Sequence, residues 1–549
     1  MDIFLANHKK LKRKISTYVK VDKEDKEGME LIYSFSRQYY HVSLDLWELP
    51  QDAFKIIVAN YTKPINIKGD LPSDLEDFLS LLDIYDRKDE PYHSRTEPYE
   101  HQLDSYEYAR RHPKFLLGDE QGLGKTKQAI DIAVSRKSKM HHCLIVCGVN
   151  GLKYNWEKEI KIHSDEDAHI LGMNKKGKIG TVTDRYKDLL VPHSEFFLIT
   201  NIETLRDKRI QKEIQKLCDE GTIGMTIIDE IHKAKNPTSE QGKAIHCCTS
   251  YYKLALTGTP LMNSAIDLYN ILKWLEVENH TISAFKGYYC IMGGFGGYEI
   301  VGYQHLDELQ AKLDSHMLRR KKDEVLDLPP KIKTNELLEM GKAQADIYKE
   351  VLTDTRDNID KVMLSPNPLT ALIRLRQATS NPTVLTTKAV NSIKFDRVVE
   401  LVTDATSKVI VFSNWTQVIN PLYEILKEKG FNPAIATGEI KNTQSQQDKF
   451  MNDESCKVIL GTIACLGTGF TLTAADTVIF VDEPWNMATK EQAEDRCHRI
   501  GTKGTVNIIT LLCKGTIDEK INQLIEDKGA LSDAIVDNDK KQLVQFLLD

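Results

Sequence analysis

The sequence predicts an α/β protein with two parallel-sheet lobes, a helical insertion between them and a small N-terminal accessory region. Three observations carry this. From Lys114 to about Leu275, short apolar runs (KFLLGDE, HCLIVCG, EFFLIT, GMTIIDE) alternate with polar or amphipathic stretches. From Lys408 the alternation starts again, with KVIVFSN, NPAIATG, KVILGT, DTVIFVDE and VNIITLLC. Short β-rich runs separated by helical segments describe strands joined by crossover helices, the way parallel sheets are built. The length, 549 residues, exceeds what one hydrophobic core usually fills.

Taken in chain order, residues 1–92 carry no readable chemical motif. Their opening is basic, with Lys9, Lys10, Lys12, Arg13, Lys14 and Lys20 against Asp2. This reads as a solvated face or mobile end, with contact to a phosphate backbone as the alternative. Leu71–Asp86 (LPSDLEDFLSLLDIYD) predicts a helix starting near Ser73 or Asp74, and His93–Pro98 (HSRTEP) predicts a boundary. Residues 93–280 are then the first lobe, 281–390 a helical insertion and linker, and 391–549 the second lobe with C-terminal helices. The insertion holds a glycine cluster, Gly293–Tyr303, expected as a hairpin or flexible loop, and the segment LRRKKDEVLDLPPK, Leu318–Lys331.

Composition narrows the classes. Hydrophobic residues are 41% and charged residues 28%, which excludes disordered and fibrous chains. The net charge of −7 argues against a uniformly basic nucleic-acid coat, so any such contact is local. Ten scattered cysteines without a CxxC pair read as reduced thiols of a cytosolic or nuclear protein. His141, His142 and Cys143 lack a second ligand pair, so no zinc cluster is expected there. There is no secretory leader pattern, and no apolar run is long enough to span a membrane.

Three motifs carry chemistry. LLGDEQGLGKT (Leu116–Thr126) runs from an apolar strand through a glycine-rich turn into a helical pattern. Gly122 and Gly124 let backbone N–H groups converge on phosphate oxygens, Lys125 supplies a point charge and Thr126 a hydroxyl for Mg²⁺. Asp119 stands where the usual phosphate-loop pattern has its first glycine. GMTIIDEIH (Gly224–His232) is an apolar strand ending in two acids: Asp229 suits the Mg²⁺ shell and Glu230 the orientation of an attacking water. QAEDRCHRIG (Gln492–Gly501) puts Arg496 and Arg499 three apart, on one face if helical, suited to reach a γ-phosphate across a cleft.

In this order across two sheets, these motifs resemble superfamily-two helicases, and more closely the Swi/Snf-type DNA translocases. That family writes its phosphate loop with an aspartate, which accounts for Asp119. ALTGTPLMN (Ala255–Asn263), LRRKKDEVLDLPPK, LIRLRQATSNP (Leu372–Pro382), KVIVFSNW (Lys408–Trp415) and Gly461–Asn486 resemble further motifs of the family, over about Tyr99 to Lys528. The resemblance implies two RecA-like lobes. It implies ATP held by Gln102, as the adenine-reading glutamine, and by Asp119, Glu120, Gln121, Gly122, Leu123, Gly124, Lys125 and Thr126. It implies Mg²⁺ at Thr126 and Asp229, and catalysis by Lys125, Asp229, Glu230, Arg496 and Arg499. Thr257, Gly258, Thr259, Gly467 and Gly469 would couple ATP state to DNA. Trp156, Asn201, Thr204, Ser413, Asn414, Thr462 and Trp485 would track one DNA strand, through phosphates rather than bases.

Three positions depart from the family. Gly148 replaces a usual proline, Leu466 is bulkier than the small residue expected, and Thr502 replaces a glutamine. The implied function is an ATP-dependent double-stranded DNA translocase, expected as a monomer of compact bacterial, phage or viral type. It would be cytoplasmic, or nuclear in a eukaryote, with no membrane. A strand-separating helicase, an RNA helicase and a nucleotide-switched clamp are the alternatives.

Overall fold

The computed structural model describes residues 1–526 apart from 8–14, 36–37, 42–43, 51–52, 62, most of 69–87, 149–150, 175–176, 259–264, 295, 297–298, 327, 359–368, 441–442, 468–471, 485–486, 499–501 and 503. Most of the expected Leu71–Asp86 helix, most of the basic opening and everything after 526 lie outside the described residues. The chain forms two compact units, Met1–Glu120 with Gly124–Arg320, and Lys321–Asp549 with Gln121–Leu123.

The N-terminal region, mute in sequence, is a small sheet. Its strands are β1 (Asp2–Asn7), β2 (Ile15–Lys20), β3 (Tyr39–His41), β4 (Leu46–Leu49) and β5 (Asn66–Lys68), in the order β3-β4-β2-β1-β5. Ile3 and Val19 pack with Ile32, Phe54 and Ile57 of two short helices. Strands this short give too few alternations to read.

The first lobe has β6 (Lys114–Leu117), β7 (His142–Cys147), β8 (Ala168–Ile170), β9 (Phe197–Asn201), β10 (Ile223–Asp229) and β11 (Tyr252–Leu256). The glycine cluster forms a hairpin of β12 (Cys290–Gly293) and β13 (Glu299–Tyr303), and β14 (Met317–Leu318) follows. The sheet order is β14-β6-β11-β10-β7-β9-β8, parallel throughout. Alternate strand residues enter opposite cores: Leu116, Leu144 and Ile228 on one face, Phe115, Ile145 and Ile227 on the other. Burial on both faces is why these strands read as continuous apolar runs.

The second lobe repeats the architecture with β15 (Lys331–Leu338), β16 (Lys408–Ser413), β17 (Ala434–Ala436), β18 (Val458–Thr462), β19 (Ala475–Phe480) and β20 (Val506–Cys513). The order is β15-β20-β19-β16-β18-β17, again all parallel. Residues 281–390 are therefore not helical alone: they lend β14 to the first sheet and β15 to the second. β15 is mostly exposed, with only Leu338 buried, so its sequence has no apolar run to announce it. Among the described residues, no helix is long and apolar enough to cross a membrane.

Candidate active site

In open parallel sheets the loops after the C-terminal strand ends hold the ligand site. Here those of β6, β10 and β11, adjacent in the sheet, carry the three first-lobe motifs. The loop after β6 turns through Gly122 (φ +88°) and Gly124 (φ +76°), and Gly124 caps the helix Lys125–Val134. These left-handed angles disfavour a Cβ. The helix start offers N–H groups without intrahelical acceptors, aligned with the helix dipole. Lys125 Nζ donates to the carbonyls of Asp119 (2.7 Å) and Glu120 (3.2 Å). Leu123 is buried, while Glu120, Gln121 and Thr126 are partly exposed. Gln102 is buried; its Oε1 accepts from the Tyr99 N–H (3.1 Å), and a Cβ on Gly124 would lie 2.5 Å from its Nε2. The glutamine expected to read adenine is thus packed on the loop's own glycine.

Asp119, fully buried, accepts from Arg320 Nε at 3.1 Å and from a terminal guanidinium nitrogen at 2.7 Å. Arg320 is not among the expected site residues, although it lies in LRRKKDEVLDLPPK, a segment that resembles the family. A lone arginine in a basic run gives no hint of a buried partner two hundred residues earlier.

β10 ends in Asp229, and Glu230 takes a left-handed backbone (φ 52°, ψ 48°), a strained choice for a non-glycine residue that concentrates at functional sites. Gly148, the first residue after β7, makes room for this turn: a Cβ there would lie 2.8 Å from both the Asp229 carbonyl and Glu230 Cβ. The departure from proline at Gly148 is therefore matched to the acidic turn. His232 Nδ1 lies 3.2 Å from Glu230 Oε2 and 3.2 Å from Thr257 Oγ1, which places Thr257 beside the acid pair. Gly258 follows it, and Thr259 lies outside the described residues. Burial holds His232 below the usual histidine range, against the pull of Glu230.

Burial, and next the Glu230 charge, raise Asp229 above the usual carboxylate range, while the Trp156 hydrogen bond and the Lys125 charge oppose them. Two acids side by side in a drying site are stabilised by a divalent cation. With the oxygen donors of Thr126 and Asp229, this donor set suits Mg²⁺.

The second-lobe strand ends converge on Asp482. Ser413 Oγ and Asn414 Nδ2 donate to its carboxylate, and the Asn414 backbone N–H does so at 2.9 Å. Arg376, from LIRLRQATSNP, is buried behind them, 3.6 Å from Asp482, and donates to the Glu483 carbonyl. Leu466 is buried against Gly461, where a Cβ would come 2.3 Å from Leu466 Cδ1; the bulkier residue fills space that a missing side chain leaves. Gly467 ends the short helix Ile463–Leu466, and Gly469 lies outside the described residues. The expectation of one helical face bearing Arg496 and Arg499 needs correction. The helix ends at Glu494 and Arg496 sits in the turn beyond it, its Nε donating to the Gln492 carbonyl (3.0 Å). Ion pairs of Lys331 and Lys333 with Glu494 (3.0 Å each) and of Lys322 with Asp495 (2.7 Å) hold the chain at that point. Arg499 lies outside the described residues.

Trp156, Asn201, Thr204, Ser413 and Thr462 are buried and Asn414 is partly so; Trp485 lies outside the described residues. The Trp156 indole donates to Asp229 Oδ2 at 2.9 Å. Asn201 Oδ1 accepts from Thr204 Oγ1 (2.7 Å) and Lys153 Nζ (3.3 Å), and Thr204 Oγ1 accepts from Arg185 (2.6 Å). Burial, and next the charge of Arg185, lower Lys153 to about 8. These side chains satisfy one another at the strand ends, because buried polar groups require partners.

The family model of the SNF2-related domain matches residues 28–384, and that of the helicase conserved C-terminal domain matches 393–501. An uncharacterized ATP-dependent helicase of Mycoplasma pneumoniae is 29% identical over 428 residues, 76% of this chain and 39% of that protein. The SWI/SNF-related matrix-associated actin-dependent regulator of chromatin subfamily A member 1 of Mus musculus is 26% identical over 454 residues, 77% of this chain and 41% of that protein. The chain therefore spans less than half the length of these relatives. The SWI2/SNF2 ATPase core of Sulfolobus solfataricus, solved in complex with dsDNA, matches at 26% identity with a TM-score of 0.38, over 84% of this chain and 97% of that one.

Proposed function

The chain belongs to the SNF2-related domain family, and we propose on that premise that it hydrolyses ATP to move along double-stranded DNA. The observation that carries the reading is that phosphate loop and acid pair follow β6 and β10, the two strands flanking β11 in one parallel sheet. Lys125 leaves the carbonyls of Asp119 and Glu120 for the nucleotide's β- and γ-phosphates, as its flexible stem allows. Thr126 and Asp229 hold Mg²⁺, which neutralises phosphate charge when bound. Glu230, held by its strained backbone and by His232, orients the attacking water. Arg496 and Arg499 supply positive charge to the γ-phosphate. His232 passes the state of Glu230 to Thr257, the start of the coupling motif with Gly258 and Thr259; Gly467 and Gly469 serve the same end in the second lobe. DNA phosphates are met by backbone N–H groups of the tracking motifs, since their described side chains are engaged internally.

The test is steady-state ATPase with double-stranded DNA, single-stranded DNA and RNA. Stimulation by double-stranded DNA is expected to be the largest, with loss of turnover in Lys125→Ala and Glu230→Gln. Arg496→Ala should keep nucleotide binding and lose hydrolysis. Full turnover in the Lys125 or Glu230 variant refutes the assignment. One observation favours strand separation as a second reading: the β12–β13 hairpin exposes Ile291, Met292 and Val301, apolar groups of the kind that wedge between base steps. Shortening its tip should then abolish fork unwinding and spare ATPase.

A further inference from the structure

Arg320 binds both flanks of the phosphate-loop turn. On the near side, Asp119 takes the guanidinium fork at 3.1 and 2.7 Å and the Arg320 backbone N–H at 3.1 Å, while the Glu120 N–H donates to the Arg320 carbonyl (3.0 Å). On the far side, within the helix that Gly124 caps, Gln128 accepts from Arg320 (3.1 Å) and donates to Asp119 Oδ2 (3.1 Å). Arg320 also donates to Ser105 and to the His101 carbonyl, one residue from Gln102. Asp119 is wholly buried, and Arg320 is only 11% exposed.

This is more than a buried ion pair. The bonds to Asp119 and Gln128 fall nine residues apart in the chain, with Gly122, Gly124 and Lys125 between them, so one planar group fixes the separation of the turn's ends. A planar fork spreads its donors over three nitrogens and so spans both partners in a fixed geometry, whereas an ammonium directs its three donors from a single nitrogen and cannot reproduce that span. A glycine at 119 would leave no anchor. We infer that Arg320 is the positioning residue of the phosphate loop, acting through Asp119 and Gln128 to hold the cradle in its nucleotide-binding shape. The inference rests on the proposed ATP site. It gives Asp119 and the LRRKK segment one shared task. The first unit ends at Arg320, so this clamp is also where the chain departs for the second lobe.

The test compares wild type with Arg320→Lys, Asp119→Asn and the double variant, reading ATPase KM and kcat, affinity for a fluorescent ADP, and the melting temperature without nucleotide. Arg320→Lys keeps a cation for the buried aspartate, so the fold survives while the fork is lost. A distorted cradle weakens ground state and transition state alike. The expectation is therefore a roughly tenfold rise in both KM and the ADP Kd with little change in kcat, and a double variant no worse than the poorer single one. Unchanged KM and ADP affinity, strictly additive losses, or a fall in kcat that tracks only a lowered melting temperature would each overturn the inference. A wild type that binds no nucleotide removes the ATP site itself and the inference with it, whereas active wild type with unaffected variants removes the inference alone.

Discussion

The indole N–H of Trp156 donates a 2.9 Å hydrogen bond to Asp229 Oδ2. Trp156 lies on the helix Leu152–His163 after β7, is 1% exposed, and fills the core beneath the sheet. A residue grouped by motif with the DNA-tracking positions thus holds the acid assigned to Mg²⁺. Partners behind a metal ligand fix its orientation, and their loss commonly weakens metal affinity or activity 10–100-fold, by about that range. Trp156→Phe keeps an aromatic ring, of smaller volume, and removes the N–H. The Mg²⁺ concentration for half-maximal ATPase should rise roughly tenfold, and Mn²⁺ binding followed by electron paramagnetic resonance should weaken in parallel. Affinity for double-stranded DNA should not move; a selective loss of DNA binding would return Trp156 to the DNA surface.

Gly148→Ala would press a Cβ to 2.8 Å from the Asp229 carbonyl and Glu230 Cβ. Since about 1 Å of misplacement can cost on the order of a hundredfold in rate, turnover should fall by roughly that factor while ATP binding persists. Equilibrium binding of a non-hydrolysable analogue beside single-turnover hydrolysis separates the two, and equal loss of both would contradict the expectation.

Thr257 is linked to the acid pair through His232, whose Nδ1 lies 3.2 Å from both Glu230 and Thr257. Thr257→Val conserves shape and deletes the hydroxyl. Basal ATPase should stay within a few-fold, and stimulation by DNA should disappear. Stimulation of wild-type size in this variant would remove Thr257 from the coupling path.

Glu278, 1% exposed at its side chain, accepts from the His280 backbone N–H (2.8 Å) and the Lys312 ammonium (3.0 Å) and lies 2.7 Å from His280 Nδ1. Burial pushes its carboxyl up, but those partners outweigh it and hold the group at about 2, against 4.5 ordinarily. A carboxyl depressed on folding contributes stability that is complete above its unfolded pKa and is lost as pH falls toward the folded one. First-lobe stability should therefore decline between about pH 4.5 and 2, by on the order of 3 kcal/mol in total. Denaturant melts of Glu278→Gln should be flatter across that window than wild type; identical slopes would assign the acid loss to other groups.

The parts of the site legible in the sequence are contiguous. A strand, two glycines and Lys125-Thr126 make a cradle by local geometry, and a strand ending in Asp229-Glu230 needs no distant information. The residues that hold those parts were not legible. Trp156 is 73 positions from Asp229, and Arg320 is 201 from Asp119; tryptophan and arginine occur too widely for type alone to announce such a contact. Motif membership named Asn201, Thr204 and Ser413, yet could not say that their side chains turn inward, because burial depends on what packs above a strand end.

By itself the sequence determined the two parallel sheets and marked out the loop proposed to cradle phosphate, since hydrophobic period and glycine-lysine spacing act over a few residues. The tertiary structure alone decided which side chains hold that chemistry in place. Arg320, Trp156, Gly148 and His232 gain their roles only when distant segments meet in a dry interior, where every polar group must find a partner and every missing Cβ admits a neighbour.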